Sequence, residues 1–152
     1  SVEEVLTALS AARKLRGDDE LLARRPVNIE RLLRARFSLD TSVANGSSIA
    51  VLAEYGDKSC LLTGDAWACV LSSSIARLLS DRKSERLEVG AFKLPHHGSR
   101  GNIDMELLSM LYCSQYLFSS NGERYRHPDQ EAVARIISRA CAIFIFQLSH
   151  RS

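Results

Sequence analysis

Histidine, cysteine, proline and tryptophan are all scarce in this chain, and each scarcity narrows what it can be. Among 152 residues there are four histidines, four cysteines, three prolines and one tryptophan. The histidines are His96, His97, His127 and His150, and no two of them form a His-x-His pair. The cysteines, Cys60, Cys69, Cys113 and Cys141, lack Cys-x-x-Cys spacing, which argues against a structural zinc site built from them. Three of them sit in apolar surroundings, so buried free thiols in a reducing, cytoplasmic compartment are expected. No apolar run approaches the roughly 20 residues of a membrane span, and no signal peptide is visible. The chain begins with Ser, as a processed or trimmed product would.

Charge of one sign is not in excess either. Twenty Lys and Arg against 18 Asp and Glu leave a net charge of +2, too small to name a nucleic-acid partner. The basic residues are unevenly spread, however. Arg13, Lys14, Arg16, Arg24, Arg25, Arg31, Arg34 and Arg36 crowd the first quarter of the chain, as a solvated helix face or a phosphate-contacting surface would. Hydrophobic residues at 45% and charged residues at 25% are ordinary for a soluble globular protein, and the length suits one domain or a large piece of one.

Periodicity divides the chain in two. Residues 1–39 read as a mostly helical N-terminal segment, with helices over 2–16 and 19–25 and a third opened by Asn28 as its cap. From Asp40 to Ser48 the chain is polar and turn-like. Ile49 to Tyr55 and Ser59 to Thr63 are β-rich runs across Gly56-Asp57, the signature of a hairpin. A helix follows Asp65 to about Ser80, then a charged loop over 81–86. A strand from Val89 to Leu94 stops at Pro95, and a polar loop runs from His96 to Asn102. A helix over about 103–112, a strand from Gln115 to Ser119, a helix over 128–139 and a strand over 141–147 complete an α/β layered order.

Reactive side chains gather at the ends of predicted strands, where α/β proteins collect ligands. Asp65 follows an apolar strand through Thr63-Gly64, and glycine there lets a carboxylate that can bridge two cations project from the sheet edge. Asp65 also suits the cap of the next helix. His96 and His97, in an extended segment, would point to opposite faces, one into a site and one beside it; imidazole ligates zinc, iron or manganese at neutral pH. A polar surface loop is the plainer alternative. His127, before Pro128, reads either as the start of a helix whose first position is Pro128 or, with Asn121 and Tyr125, as the wall of a substrate pocket. His150 is assigned no role.

Four segments in order carry a resemblance: Asn45 to Leu52, Leu61 to Asp65, Lys93 to Ser99, and Ser120 to Pro128. Together they resemble the metallo-β-lactamase-fold hydrolase superfamily, closest to the ComEC-like hydrolase domain. The likeness covers Asn45 to about Ile137 and fits the C-terminal half of that domain, so residues 40–152 are expected to form the C-terminal half of an αββα sandwich. The resemblance implies two divalent metal ions, zinc or manganese, with Asp65 as the bridging carboxylate and His97 as a ligand of the second metal. His96 and His127 become catalytic acid–base groups, and Ser99, Asn121 and Tyr125 substrate contacts. A phosphodiester, nucleic acid foremost, is the expected substrate, favoured by the ComEC-like segments and the basic first quarter and attacked by a two-metal-activated hydroxide; lactone, thioester and phosphocholine ester substrates are the alternatives, since the fold alone does not choose among them.

The departure from the family pattern is as informative. Its main metal cradle is a His-x-His-x-Asp-His loop plus a further histidine, and this chain has neither. Asp65 and His97 are too few, because metal sites need at least three protein ligands per ion, and the chain alone is expected to be inactive or metal-free. Three arrangements account for this: an N-terminal half that has been removed, a partner chain that supplies the ligands, or a degenerate relative kept to bind nucleic acid or protein. A half-domain of this kind is expected to leave one sheet face exposed.

Overall fold

The computed structural model describes residues 27–120, 126–139 and 144–147. The expected helices over 2–16 and 19–25, together with Asn121, Tyr125, Cys141 and His150, lie outside the described residues. The elements run α1 (Ile29–Leu33), α2 (Val43–Gly46), β1 (Val51–Tyr55), β2 (Lys58–Leu62), α3 (Ala68–Arg82), β3 (Leu87–Lys93), a short turn of 3-10 helix (Pro95–Gly98), α4 (Met105–Ser109), β4 (Leu111–Phe118), α5 (Gln130–Arg139) and β5 (Phe144–Gln147). The described strands form a five-stranded mixed sheet in the order β1-β2-β3-β4-β5. β1 and β2 are antiparallel, and every later pair is parallel. The fold is therefore α/β, as the alternation of periods implies. No helix among the described residues is long and apolar enough to cross a membrane.

Local chemistry explains most boundaries. Asn28 caps α1 by accepting a hydrogen bond from the Arg31 backbone at 2.9 Å, satisfying a donor that the first turn would leave orphaned. The hairpin closes at Gly56, whose φ of 56° carries no Cβ penalty. Two boundaries differ from expectation. α4 is short because Asp104 caps it late, its carboxylate accepting from Leu107 N at 2.8 Å. β4 then starts at Leu111 rather than at Gln115, because Leu111 to Cys113 pair with Leu87 to Val89. Leu107, Leu108 and Leu111 carry helical spacing in sequence, but the parallel ladder claims the last of them. Likewise Pro128 is not the first helical residue: α5 begins at Gln130.

Register shows where the core lies. Leu61, Phe92 and Tyr116 stand side by side across β2, β3 and β4 and are 4%, 0% and 3% exposed. Phe92 and Tyr116 meet edge to face, with centroids 6.1 Å apart, a favoured aromatic geometry. The neighbouring row on the other face, Val51, Leu62, Lys93 and Leu117, is far more open, with Val51 at 47% and Leu62 at 43%. The opening is concentrated at the β1 and β2 end of this row. α5 is buried along much of its length, including Arg135. The Arg135 guanidinium donates to the carbonyls of Arg100 and Ile103, both at 2.7 Å, and lies 5.1 Å from the Phe37 ring centre. This buried cation ties the loop after β3 to α5.

The contrast between the two rows gives a direct test. Phe92→Ala should destabilise the fold by about 3–5 kcal/mol, the usual cost of emptying a filled aromatic site. Leu62→Ala, on the open face, should cost roughly 1 kcal/mol or less. Urea unfolding of both variants measures the difference.

Candidate functional site

The carboxyl ends of β2 and β3 are locked together before any reactive group is considered. The Thr63 hydroxyl, fully buried, donates to the Lys93 carbonyl at 2.7 Å. Gly64 then turns with φ 55°, and the His96 backbone N–H donates to the Gly64 carbonyl at 3.1 Å. The segments Thr63 to Asp65 and Pro95 to Gly98, far apart in sequence, therefore form one edge.

Asp65 sits at that edge, partly buried. It does not cap α3, which begins at Ala68 with Trp67 in the cap position and no side-chain cap bond. The capping alternative is thereby removed. Its backbone N–H donates to the Ser48 hydroxyl at 3.2 Å. Among the described residues its carboxylate accepts no hydrogen bond and forms no ion pair. The Lys93 ammonium is near enough to feel it: burial pushes the Lys93 pKa down, and the Asp65 charge partly restores it. Among the described residues Lys93 itself reaches only the Gly64 carbonyl, at 3.5 Å.

The two adjacent histidines are not extended, contrary to the sequence expectation. His96 has φ 44° and His97 φ 57°, followed by Gly98 at 87°. Consecutive left-handed residues replace the alternation of an extended segment, and the rings stand 6.2 Å apart. Left-handed backbone at a residue with a Cβ costs about 1–3 kcal/mol and persists only where its surroundings enforce it. The His97 Nδ1–H donates to the Ser119 carbonyl, with the Ser119 hydroxyl at 3.1 Å. A carbonyl only accepts, so Nδ1 carries a proton, which in the neutral ring leaves the lone pair on Nε2.

His96 is held by residues that sequence reasoning missed. Its Nδ1 lies 3.2 Å from Asp40 Oδ2, 3.3 Å from Asn102 Oδ1 and 3.3 Å from Asn45 Nδ2. Asn102 is fully buried, and its Nδ2 faces Asp40 Oδ2, the Asp65 carbonyl and the Ala66 carbonyl at 3.0, 3.2 and 3.1 Å. Asp40 also accepts from Asn45 Nδ2 at 2.7 Å and from the Ser42 backbone at 2.9 Å. Burial raises the Asp40 pKa, but hydrogen bonds from Asn45, Ser42, Asn102 and His96 outweigh it and hold the carboxyl at about 2. Asn45 belongs to the motif segments; Asp40 and Asn102 fell in polar loops with no assigned role. The only signal for Asp40 was a serine two residues on, the spacing of an Asp side chain bonding its own backbone.

His127 joins the cluster, its ring 5.4 Å from that of His96 and its Nδ1 3.4 Å from Asp129 Oδ1. It is not a helix cap, since α5 starts three residues later. Ser99 is nearby, but its hydroxyl accepts from the Gly101 backbone at 3.3 Å and helps to shape the turn. Asn121 and Tyr125 lie outside the described residues. The structure thus brings Asp65, His96, His97, Ser99 and His127 to one sheet edge. Among the described residues, no group of three or more His, Cys, Asp or Glu is placed to hold a metal ion. No protein-family model, curated protein or solved structure matches the chain.

Two predictions follow from this geometry. A Cβ at Gly98 would stand 2.8 Å from Pro128 Cβ and 3.0 Å from the Phe118 ring, in a left-handed conformation, so Gly98→Ala should lower the thermal midpoint by several degrees. The Asp40 carboxyl is depressed from 3.8 to about 2. A depressed acid contributes stability that is complete above its unfolded value and lost as pH falls through its folded value. Urea midpoints should therefore show wild type and Asp40→Asn well separated at neutral pH and converging between about pH 4 and pH 2.

Proposed function

We propose that the chain is the C-terminal half of an αββα metallo-β-lactamase-fold, ComEC-like hydrolase that acts on phosphodiesters, nucleic acid foremost, in the cytoplasm. The observation that carries the reading is the pairing of an uncommitted carboxylate with a pre-oriented imidazole at one sheet edge. Asp65 makes no side-chain hydrogen bond among the described residues, and His97 donates its Nδ1–H to a backbone carbonyl. That bond puts the proton on Nδ1 and would leave Nε2 to a cation, the arrangement that metal-binding histidines adopt.

The donor types suit zinc or manganese, and their number does not suffice. Asp65 and His97 would be two ligands where a site needs at least three; the rest come from an upstream half or a partner chain. When bound, two divalent cations would supply an activated water and neutralise charge on the substrate. The chain's own residues do the remaining work. His96 and His127 stand where they can hold and move protons, and Lys93 contributes a half-buried positive charge beside Asp65 that favours an anionic substrate. Ser99, Asn121 and Tyr125 are proposed substrate contacts. The open row of Val51 and Leu62 supports a second sheet lying on that face. The thiols of Cys60, Cys69 and Cys113 are free, although Cys69 is exposed rather than buried as expected.

A second reading, a degenerate module that binds nucleic acid or protein without catalysis, is favoured by the absence of a three-ligand group among the described residues. Metal analysis of the longest natural polypeptide separates the two. In the hydrolase reading it retains divalent cations, and Asp65→Ala and His97→Ala each remove at least one of them and most phosphodiesterase activity. Unchanged metal content in both variants, or no bound metal at all, decides against the hydrolase.

A further inference from the structure

We propose that Asp40 is the positioning residue for His96, fixing the tautomer in which Nδ1 carries the proton and Nε2 the lone pair. The inference rests on the hydrolase reading for its use, but its geometry stands alone. The amide of Asn102 cannot be reversed, because its Nδ2 faces three oxygens. Its Oδ1 therefore faces His96 Nδ1, as does Asp40 Oδ2. Two acceptors, one of them a carboxylate, demand a proton on Nδ1. The third neighbour, Asn45 Nδ2, is committed to Asp40 at the shorter distance of 2.7 Å. All the hydrogen bonds of His96's ring among the described residues fall on Nδ1, and the side chain is 26% exposed against 12% for Asp40. Among the described residues the ring is thus gripped at Nδ1 alone.

A carboxylate in this relation holds the imidazole in one orientation and one tautomer. Free imidazole favours the opposite tautomer, so the arrangement is readable by spectroscopy. It also gives Asp40 a role beyond joining the loop before β1 to the loop after β3.

The test needs no metal. In the folded chain at mildly alkaline pH, nitrogen-edited NMR of labelled histidine should find His96 protonated at Nδ1. Asp40→Asn should shift His96 toward the Nε2–H tautomer, while His97, held by the Ser119 carbonyl, stays as it was. Asp40→Glu should restore the original state at least in part. Diethyl pyrocarbonate, which acylates the bare imidazole nitrogen, should modify His96 at Nε2 severalfold more slowly in Asp40→Asn than in wild type. His96 protonated at Nε2 in wild type, or an unchanged tautomer and reactivity in a folded Asp40→Asn, overturns the proposal. Should Asp40→Asn fail to fold, the wild-type tautomer and Asp40→Glu decide it alone. Metal retention through Asp65 and His97 is a separate measurement, so failure here leaves the hydrolase reading standing, and failure there leaves this one.

Discussion

The Asp40 carboxylate accepts hydrogen bonds from three parts of the chain: its own turn through Ser42 and Asn45, the strained turn through His96, and the following loop through Asn102. The sheet edge that carries Asp65 and the histidines depends on that convergence. His96 and His97 occupy left-handed backbone, which each residue would leave if nothing held it, and the bonds to Asp40, Asn102 and Ser119 are what hold it. A carboxylate that remains ionised to about pH 2 keeps the arrangement intact across the physiological range.

Around this knot the fold is conventional in its physics. A buried row of Leu61, Phe92 and Tyr116 gives the sheet its core, and the Arg135 guanidinium anchors the loop that carries Asn102. Rigidity is therefore concentrated beneath the site, the condition under which a few polar side chains can be held in fixed orientation. The opposite row of the sheet, with Val51 and Leu62 exposed, has no comparable packing.

Much of the fold was legible because it rests on local signals. The Gly56-Asp57 turn between two apolar runs gives the hairpin, Asn28 announces α1, and Pro95 ends β3. The boundary between α4 and β4 was not legible, since Leu107, Leu108 and Leu111 have helical spacing and only pairing with β3 decides otherwise. At the site, Asp65 and the histidines could be named from motif and position. The conformation of His96 and His97 could not, because histidine's modest tolerance of positive φ does not by itself call for two such residues in a row; contacts with residues 40, 102 and 119 hold it. Asp40 and Asn102 were missed for the same reason. They lie 56 and 6 residues from His96, and a polar residue in a polar loop has no sequence mark of such a partner.

The central claim is that Asp65 and His97 are aimed at a common cation while other groups at the same edge handle protons. Anomalous diffraction from crystals of the longest natural polypeptide, grown with manganese, tests it most directly. The account predicts a metal peak within bonding distance of both the Asp65 carboxylate and His97 Nε2. A peak elsewhere, with these two side chains contacting no metal, would contradict it.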